Sequence, residues 1–574
     1  MPNPKIENQL NLALDVTESE KNKSSNLNVG FNETTRLWTV ILRYTGTLDN
    51  VRELLSSYNI PIKIWELLSF YAVMELPEDL INVVADFENI IYIEKPKRLY
   101  FQIINSISVS CINPARVVFN NLYGNGVTVA IIDSGIDASS PAFRNSDGTS
   151  RISLLWDQNT DTVYDNQSIN EALLSGSNSI SAGNTVLPTD TSGHGTAVAS
   201  IAVGNYSTYY NSSSDIGIAT RSNIIVVKLG TPDATSFPRT SELMRAIDFC
   251  VRYGFENNVP LVINLSFGNN YGSHDGTSLL ETYIDSVANI GRTTIVAGTG
   301  NEASFAIHTS GTVTENTTTT IELNIAPYEP TINIQLWKNY SDIFDIILIS
   351  PSGRQISIPT GSNATRYGLD STDILVYYGT ASPYSVNQEI YIDFLPKDLY
   401  ITGGLWKIEL TGRKISVGNF QMWLPESSIL NGSGFLNPNP DATFTIPSTA
   451  SSVISVGAYN GYTFSYASFS GRGYNGVATF SNNKPDIVAP GVNITAISPS
   501  GLITVSGTSF ATPIVSGIAA LLCQWGIIDG NDPWLYGEKI KAYLRRGAFQ
   551  LPGEKTPSPK TGWGAVCLYD SLPL

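Results

Sequence analysis

The chain has 574 residues, 42% hydrophobic and 15% charged, which excludes a disordered protein and calls for more than one hydrophobic core. A formal net charge of −16 excludes unspecific binding to nucleic acid or to an anionic membrane as the main role. Its four cysteines (Cys111, Cys250, Cys523 and Cys567) are widely spaced with no CxxC pair, so they read as buried free thiols rather than a disulfide framework or a metal cluster.

Residues 1 to about 30 are polar and are expected to be only partly ordered. The opening Met-Pro-Asn-Pro-Lys-Ile-Glu lacks the apolar core of a signal peptide. The longest apolar runs, such as Gly517 to Cys523, are too short to cross a bilayer, so no membrane span is expected. The chain is therefore expected to stay in the compartment where it is made, which for a cell means cytoplasmic at synthesis. From Leu37 the pattern tightens into β-α-β-β-α-β. Trp38 to Thr45 reads as a strand, Asp49 to Tyr58 as a helix and Ile62 to Leu76 as a strand pair. Glu78 to Phe87 reads as a second helix and Ile90 to Glu94 as the last strand. Two helices on one face of such an α+β sheet leave the other face free to dock.

From Gly124 apolar strands alternate with helices. The strands are Val127 to Ile132, Ile224 to Leu229, Leu261 to Leu265 and Thr294 to Ala297; the helices include His194 to Ala202 and Ser241 to Tyr253. Strands almost free of polar residues predict an α/β unit, a parallel sheet covered by helices on both faces. Ligand sites in such sheets lie beyond the carboxyl ends of the strands, which is where Asp133 falls. Between about Phe305 and Leu424 there is no helical pattern, only short strands with turn signals such as Pro351-Ser-Gly353 and Thr402-Gly-Gly404, as in a β-sandwich. The α/β rhythm resumes at Ser452 to Ala458 and ends in a helix over Phe510 to Gln524, with Pro513 in its first turn.

Three segments carry chemistry in one order: Val-Ala-Ile-Ile-Asp133-Ser-Gly, Gly-His194-Gly-Thr-Ala-Val-Ala-Ser, and Gly-Thr-Ser509-Phe-Ala-Thr-Pro. A hydroxyl at a helix N-terminus, an imidazole between glycines and a carboxylate ending a buried strand are what a nucleophile, its base and the base's orienter need. Each motif alone has a plainer reading, Gly-Thr-Ser as an ordinary cap and Asn301 after glycine as a turn residue. Asp137 is the rival of Asp133. The other histidines, His274 and His308, read as surface residues.

With this order of motifs the chain resembles the subtilisin-like serine proteases over residues 124 to about 304 and 437 to 566. That resemblance implies a subtilisin-like catalytic unit over residues 103–304 and 437–574. It implies a ferredoxin-like prodomain over residues 1–102 that assists folding and blocks the cleft. The segment Lys95 to Gln102 would lie in the substrate groove, with self-cleavage near Gln102. Residues 305–436 would be an inserted jelly roll, since Ile347 to Gly353 and Gly404 to Leu410 look like jelly-roll modules found with subtilases. Asp133, His194 and Ser509 would form the triad, and Asn301, in Val296-Ala-Gly-Thr-Gly-Asn-Glu302, would line the oxyanion hole. Ser266, Phe267 and Gly268, in Asn264-Leu-Ser-Phe-Gly268, would pair with an extended peptide. The signal-less prodomain and the insertion after Asn301 look like the clostridial Csp germination proteases. The implied function is a serine endopeptidase that activates a proenzyme, such as a spore cortex-lytic hydrolase, and is packaged into spores. Two other readings compete: a pseudoprotease acting as receptor or scaffold, and a cell-wall-binding protein working through the jelly roll. There is no EF-hand spacing, so no metal and no cofactor are expected.

Overall fold

The computed structural model describes residues 3–24, 26–57, 63–97, 100, 101, 110–119, 121–174, 186–205, 217–230, 238–361, 364–474 and 484–573. The expected cleavage position, Gln102, lies outside the described residues.

The apolar strands assemble into a nine-stranded sheet. Thr128–Asp133 lies between Asn223–Lys228 and Leu261–Leu265, parallel to both, and Thr293–Gly298, Ile454–Asn460 and Ile487–Pro490 continue the parallel order. Every residue of Thr128–Asp133 is buried, because successive side chains enter two different cores. Val129 and Ile131 pack under the helices His194–Val203 and Thr508–Cys523. Ala130 and Ile132 pack under Thr240–Glu256 and Leu279–Val287.

The helix that carries Ser509 begins at Thr508, earlier than expected, so Pro513 is not in its first turn but inside the helix. Proline cannot donate to the carbonyl four residues back, which is that of Ser509. The Ser266 hydroxyl donates to that carbonyl instead, at 2.9 Å. With the π-helical turn Gln524–Ile528 this helix reaches 21 residues, long and apolar enough to cross a membrane by length and composition. Its apolar window is 94% buried, so the apolarity is that of a core helix, built from runs that are individually short.

The helix-free stretch forms two antiparallel sheets, one of six and one of five strands. Their inner faces share a core that includes Leu336, Phe344, Ile390, Ile392, Trp406 and Ile408.

At the N-terminal end, Leu37–Tyr44 pairs antiparallel with Tyr71–Pro77 on one side and with Ile90–Glu94 on the other, while Ile64–Leu67 flanks Tyr71–Pro77. This is the expected ferredoxin-like order. One face of the sheet, through Ile41, Tyr71, Val73 and Tyr92, packs against Leu243, Ile247 and Tyr283 of the catalytic-unit helices. The Tyr71 hydroxyl donates to Thr282 Oγ1 at 2.9 Å, and the Leu68 N–H donates to Asp248 Oδ1 at 2.8 Å.

Three further expectations need correction. Of the stretch expected to be only partly ordered, the described residues form two helices, Asn8–Asp15 and Glu18–Lys23. Their Leu10, Leu12 and Ala13 are buried in a core shared with Leu375, Tyr377 and Tyr391 of the inserted unit. The polar look of this arm reflects a polar interface: Gln9 Nε2 donates to Glu389 at 3.0 Å, and the Ser24 hydroxyl donates to Asp393. His274 and His308 are buried, not on the surface. Both stack on Trp423, with ring centroids 4.2 and 4.9 Å away, at the seam between the inserted and catalytic units. Desolvation holds both imidazoles down at about 4. Finally, Cys111 and Cys567 form a disulfide across 456 residues, tying the helix Ile112–Val118 to Leu568–Ser571. Cys250 and Cys523 are free and buried.

Candidate active site

Asp133 is the last residue of its strand and is fully buried. Its Oδ1 faces His194 Nδ1 at 2.7 Å and accepts the Ser134 N–H at 2.7 Å. Asp133 Oδ2 is buried without a hydrogen-bond partner. A carboxylate held there fixes the imidazole tautomer with its proton on Nδ1 and stabilises a positive ring. His194 opens the helix His194–Val203. The next residue must be glycine, since a Cβ on Gly195 would meet the Gly135 carbonyl oxygen at 2.2 Å. That close approach seats the His194 turn on the Asp133 turn.

The His194 ring lies 5.4 Å from the ring of Phe510, the residue after Ser509. The two helices that carry the base and the hydroxyl therefore meet at their N-terminal ends. Ser509 Oγ donates to the Ser266 carbonyl at 2.9 Å. The hydroxyl is thus turned toward Ser266, and the nucleophile-to-base bond of a triad is not made in this arrangement. Bringing it to His194 requires a change of Ser509 rotamer, a step between staggered wells.

Asn301 follows the strand Thr293–Gly298. Its Oδ1 accepts the Thr508 N–H at 2.9 Å, which fixes the amide orientation and leaves Nδ2 as a donor beside Gly507. Gly507 has φ of 146°, a backbone conformation that favours glycine, and a Cβ there would crowd Asn301 Nδ2 at 3.2 Å. Beside it, burial pushes the Glu302 carboxyl up, and it accepts the Ser427 N–H of the inserted unit at 3.1 Å. A side-chain amide beside a helix N-terminus can bind a developing oxyanion.

Phe267–Gly268 pairs antiparallel with Tyr100–Phe101, so the segment after the N-terminal domain runs beside the Ser509 turn as an added strand. The Phe267 side chain is buried in the core under the helices, which leaves its backbone to face that strand. Asn264 Nδ2 donates to the Ser266 hydroxyl at 2.9 Å, and Ser516 Oγ donates to Asn264 Oδ1 at 2.8 Å; both bonds brace the strand against the Ser509 helix. Asp137 lies away from the imidazole, and its carboxylate accepts from Ser139. Among the described residues no group of three or more His, Cys, Asp or Glu side chains could hold a metal ion.

The subtilase family model matches residues 124–350 and 414–564, and a model of the Csp protease B prodomain matches residues 4–97. The solved structure of the Clostridium perfringens CspB protease is similar at 37% identity and a TM-score of 0.73, covering 80% of this chain and 95% of that one. Serine protease AprX of Bacillus subtilis is 36% identical over 160 residues, which is 24% of this chain and 34% of that protein, so the match spans about a third of this curated relative. The crystal structure of fervidolysin from Fervidobacterium pennivorans shares the fold alone, at 15% identity and a TM-score of 0.50 over 93% of this chain and 60% of that one. The chain therefore belongs to the subtilase family and carries a prodomain of the Csp protease B kind.

Proposed function

We propose that the chain is a serine endopeptidase with Asp133, His194 and Ser509 as its triad. Ser509 Oγ attacks the scissile carbonyl as His194 Nε2 takes its proton, and Asp133 stabilises the resulting imidazolium. Asn301 Nδ2 and the Ser509 N–H hold the oxyanion. His194 then passes the proton to the leaving amine, and water releases the acyl group. The observation that carries this reading is the Asp133–His194 pair lying against the N-terminus of the Ser509 helix. Substrate pairs as an antiparallel strand with Phe267–Gly268, the place taken here by Tyr100–Phe101.

The prodomain acts as folding assistant and cleft blocker, and self-cleavage near Gln102 opens the groove. The physiological substrate is a proenzyme of the spore cortex-lytic kind, a reading that rests on the resemblance to Csp proteases. A fluorophosphonate probe tests the chemistry: labelling of the wild type that is lost in Ser509→Ala is expected. No labelling after the prodomain has been removed would favour a receptor or scaffold instead. The substrate is tested by incubating a cortex-hydrolase proenzyme with the protein and sequencing the new N-terminus, with no cleavage refuting that choice.

A further inference from the structure

A helix start leaves four backbone N–H groups without intrahelical acceptors. The residue flanking the His194 helix is Gly193, with a left-handed φ of 73° and no side chain to cap them. All four are nevertheless satisfied. The Gly193 N–H donates to Asp190 Oδ1 at 3.0 Å and the Thr196 N–H to Asp190 Oδ2 at 2.9 Å. The His194 N–H donates to Ser192 Oγ at 3.1 Å and the Gly195 N–H to Ser134 Oγ at 2.9 Å. Asp190 is 4% exposed and also accepts the hydroxyls of Thr196 at 2.7 Å, Ser192 at 3.3 Å and Ser134 at 2.9 Å.

Ser134 is the hinge of this network. Its N–H donates to Asp133 Oδ1, the oxygen that faces His194 Nδ1, while its hydroxyl accepts from Gly195 and donates to Asp190. One buried carboxylate therefore holds both the turn that follows Asp133 and the helical turn that carries the imidazole. A negative charge is favourable there, at the positive end of the helix. Replacing one Asp190 oxygen by an amide would set N–H groups against the N–H and O–H donors that now point at it.

We infer that Asp190, acting through Ser134, is a positioning residue that fixes the His194 imidazole against Asp133. The inference rests on the triad reading. A misplacement of the base of about 1 Å costs on the order of a hundredfold in rate, whereas peptide binding along Phe267–Gly268 is untouched.

The test compares full-length wild type, Asp190→Asn, Ser134→Ala and Ser134→Thr by kcat and KM on a peptide substrate, by fluorophosphonate labelling rate and by thermal melting. Asp190→Asn is expected to lower kcat and labelling by about tenfold to a hundredfold with KM within about twofold. Ser134→Ala should fall in the same way, and Ser134→Thr, which keeps the hydroxyl, should recover most of the loss. Folded Asp190→Asn with wild-type kcat overturns the inference, as does a loss confined to KM. If Asp190→Asn does not fold, the Ser134 pair decides: threonine no better than alanine overturns it. A wild type that takes no label once its prodomain has been removed overturns the triad reading itself, whereas equal labelling of wild type and Asp190→Asn, both freed of the prodomain, overturns the positioning role alone.

Discussion

Raising the pH should loosen the N-terminal arm from the inserted β-unit. Glu389 and Asp393 lie on one face of the strand Asn387–Pro396 beneath the arm, 3% and 0% exposed. Their partners are neutral, the Gln9 amide and the Ser24 hydroxyl. Burial pushes both carboxyls up to about 7 from ordinary values of 4.5 and 3.8; Glu7 adds to the rise at Glu389, while Lys95 and Lys97 oppose it, and Lys95 opposes it at Asp393. The docked arm therefore holds these two protons more tightly than the open arm does. Docking strength is full below about pH 4, falls as pH rises toward 7 and is flat above. At 1.36 kcal/mol for each tenfold in proton affinity, about 5 kcal/mol in total is lost between pH 5 and pH 8. Amide hydrogen exchange at Leu10, Leu12 and Ala13, corrected for intrinsic rates, reads the opening free energy of the arm. It should fall across that range in the wild type and stay nearly level in the Glu389→Gln, Asp393→Asn double variant. A wild-type opening free energy that is constant or rises with pH would refute the reasoning, as would an undiminished slope in the double variant.

Asn301→Ala should cost about 3 kcal/mol of transition-state stabilisation, seen as a drop in kcat of about a hundredfold with the melting temperature unchanged. Ser266→Ala leaves the Ser509 carbonyl without its hydroxyl partner, so denaturant unfolding should show a loss of about 1–3 kcal/mol. In a Pro513→Ala background, where a backbone N–H returns to that carbonyl, the same change should cost less, and equal losses in both backgrounds would count against this account. Reduction of Cys111–Cys567, or Cys567→Ser, should lower the melting temperature, with a chain-entropy ceiling of about 6 kcal/mol for so long a loop. An unchanged melt under reductant would show that the bond adds nothing to stability.

The sequence made the catalytic unit legible because its grammar is local. Ile-Ile-Asp133-Ser-Gly ends a strand whose six residues are all buried, and Gly-His194-Gly opens a helix that only glycine lets approach the Gly135 carbonyl. Only some strands of the inserted unit were readable from turn signals and apolar runs, and His308–Thr312, Gln355–Ile358, Ala364–Leu369 and Thr372–Ala381 were missed. What stayed hidden depends on contacts between distant segments. His274 and His308 are buried at a seam where both rings stack on Trp423 of the inserted unit. The arm looks like a tail because Gln9 and Ser24 pair with Glu389 and Asp393 of the inserted unit alongside the apolar contacts of Leu10 and Leu12. A disulfide across 456 residues has no spacing to betray it. Asp190 caps a helix from three residues before Gly193, outside the position where a capping side chain is sought; Asp followed three residues later by a glycine at a helix start was the available signal.

The most direct measurement is a structure of the protein after reaction with a small fluorophosphonate. The account predicts a phosphonyl group on Ser509 Oγ, which has left the Ser266 carbonyl, with one phosphonyl oxygen about 2.7–3.1 Å from Asn301 Nδ2 and from the Ser509 N–H. An adduct on another residue, or on Ser509 with that oxygen pointing away from Asn301, would contradict it.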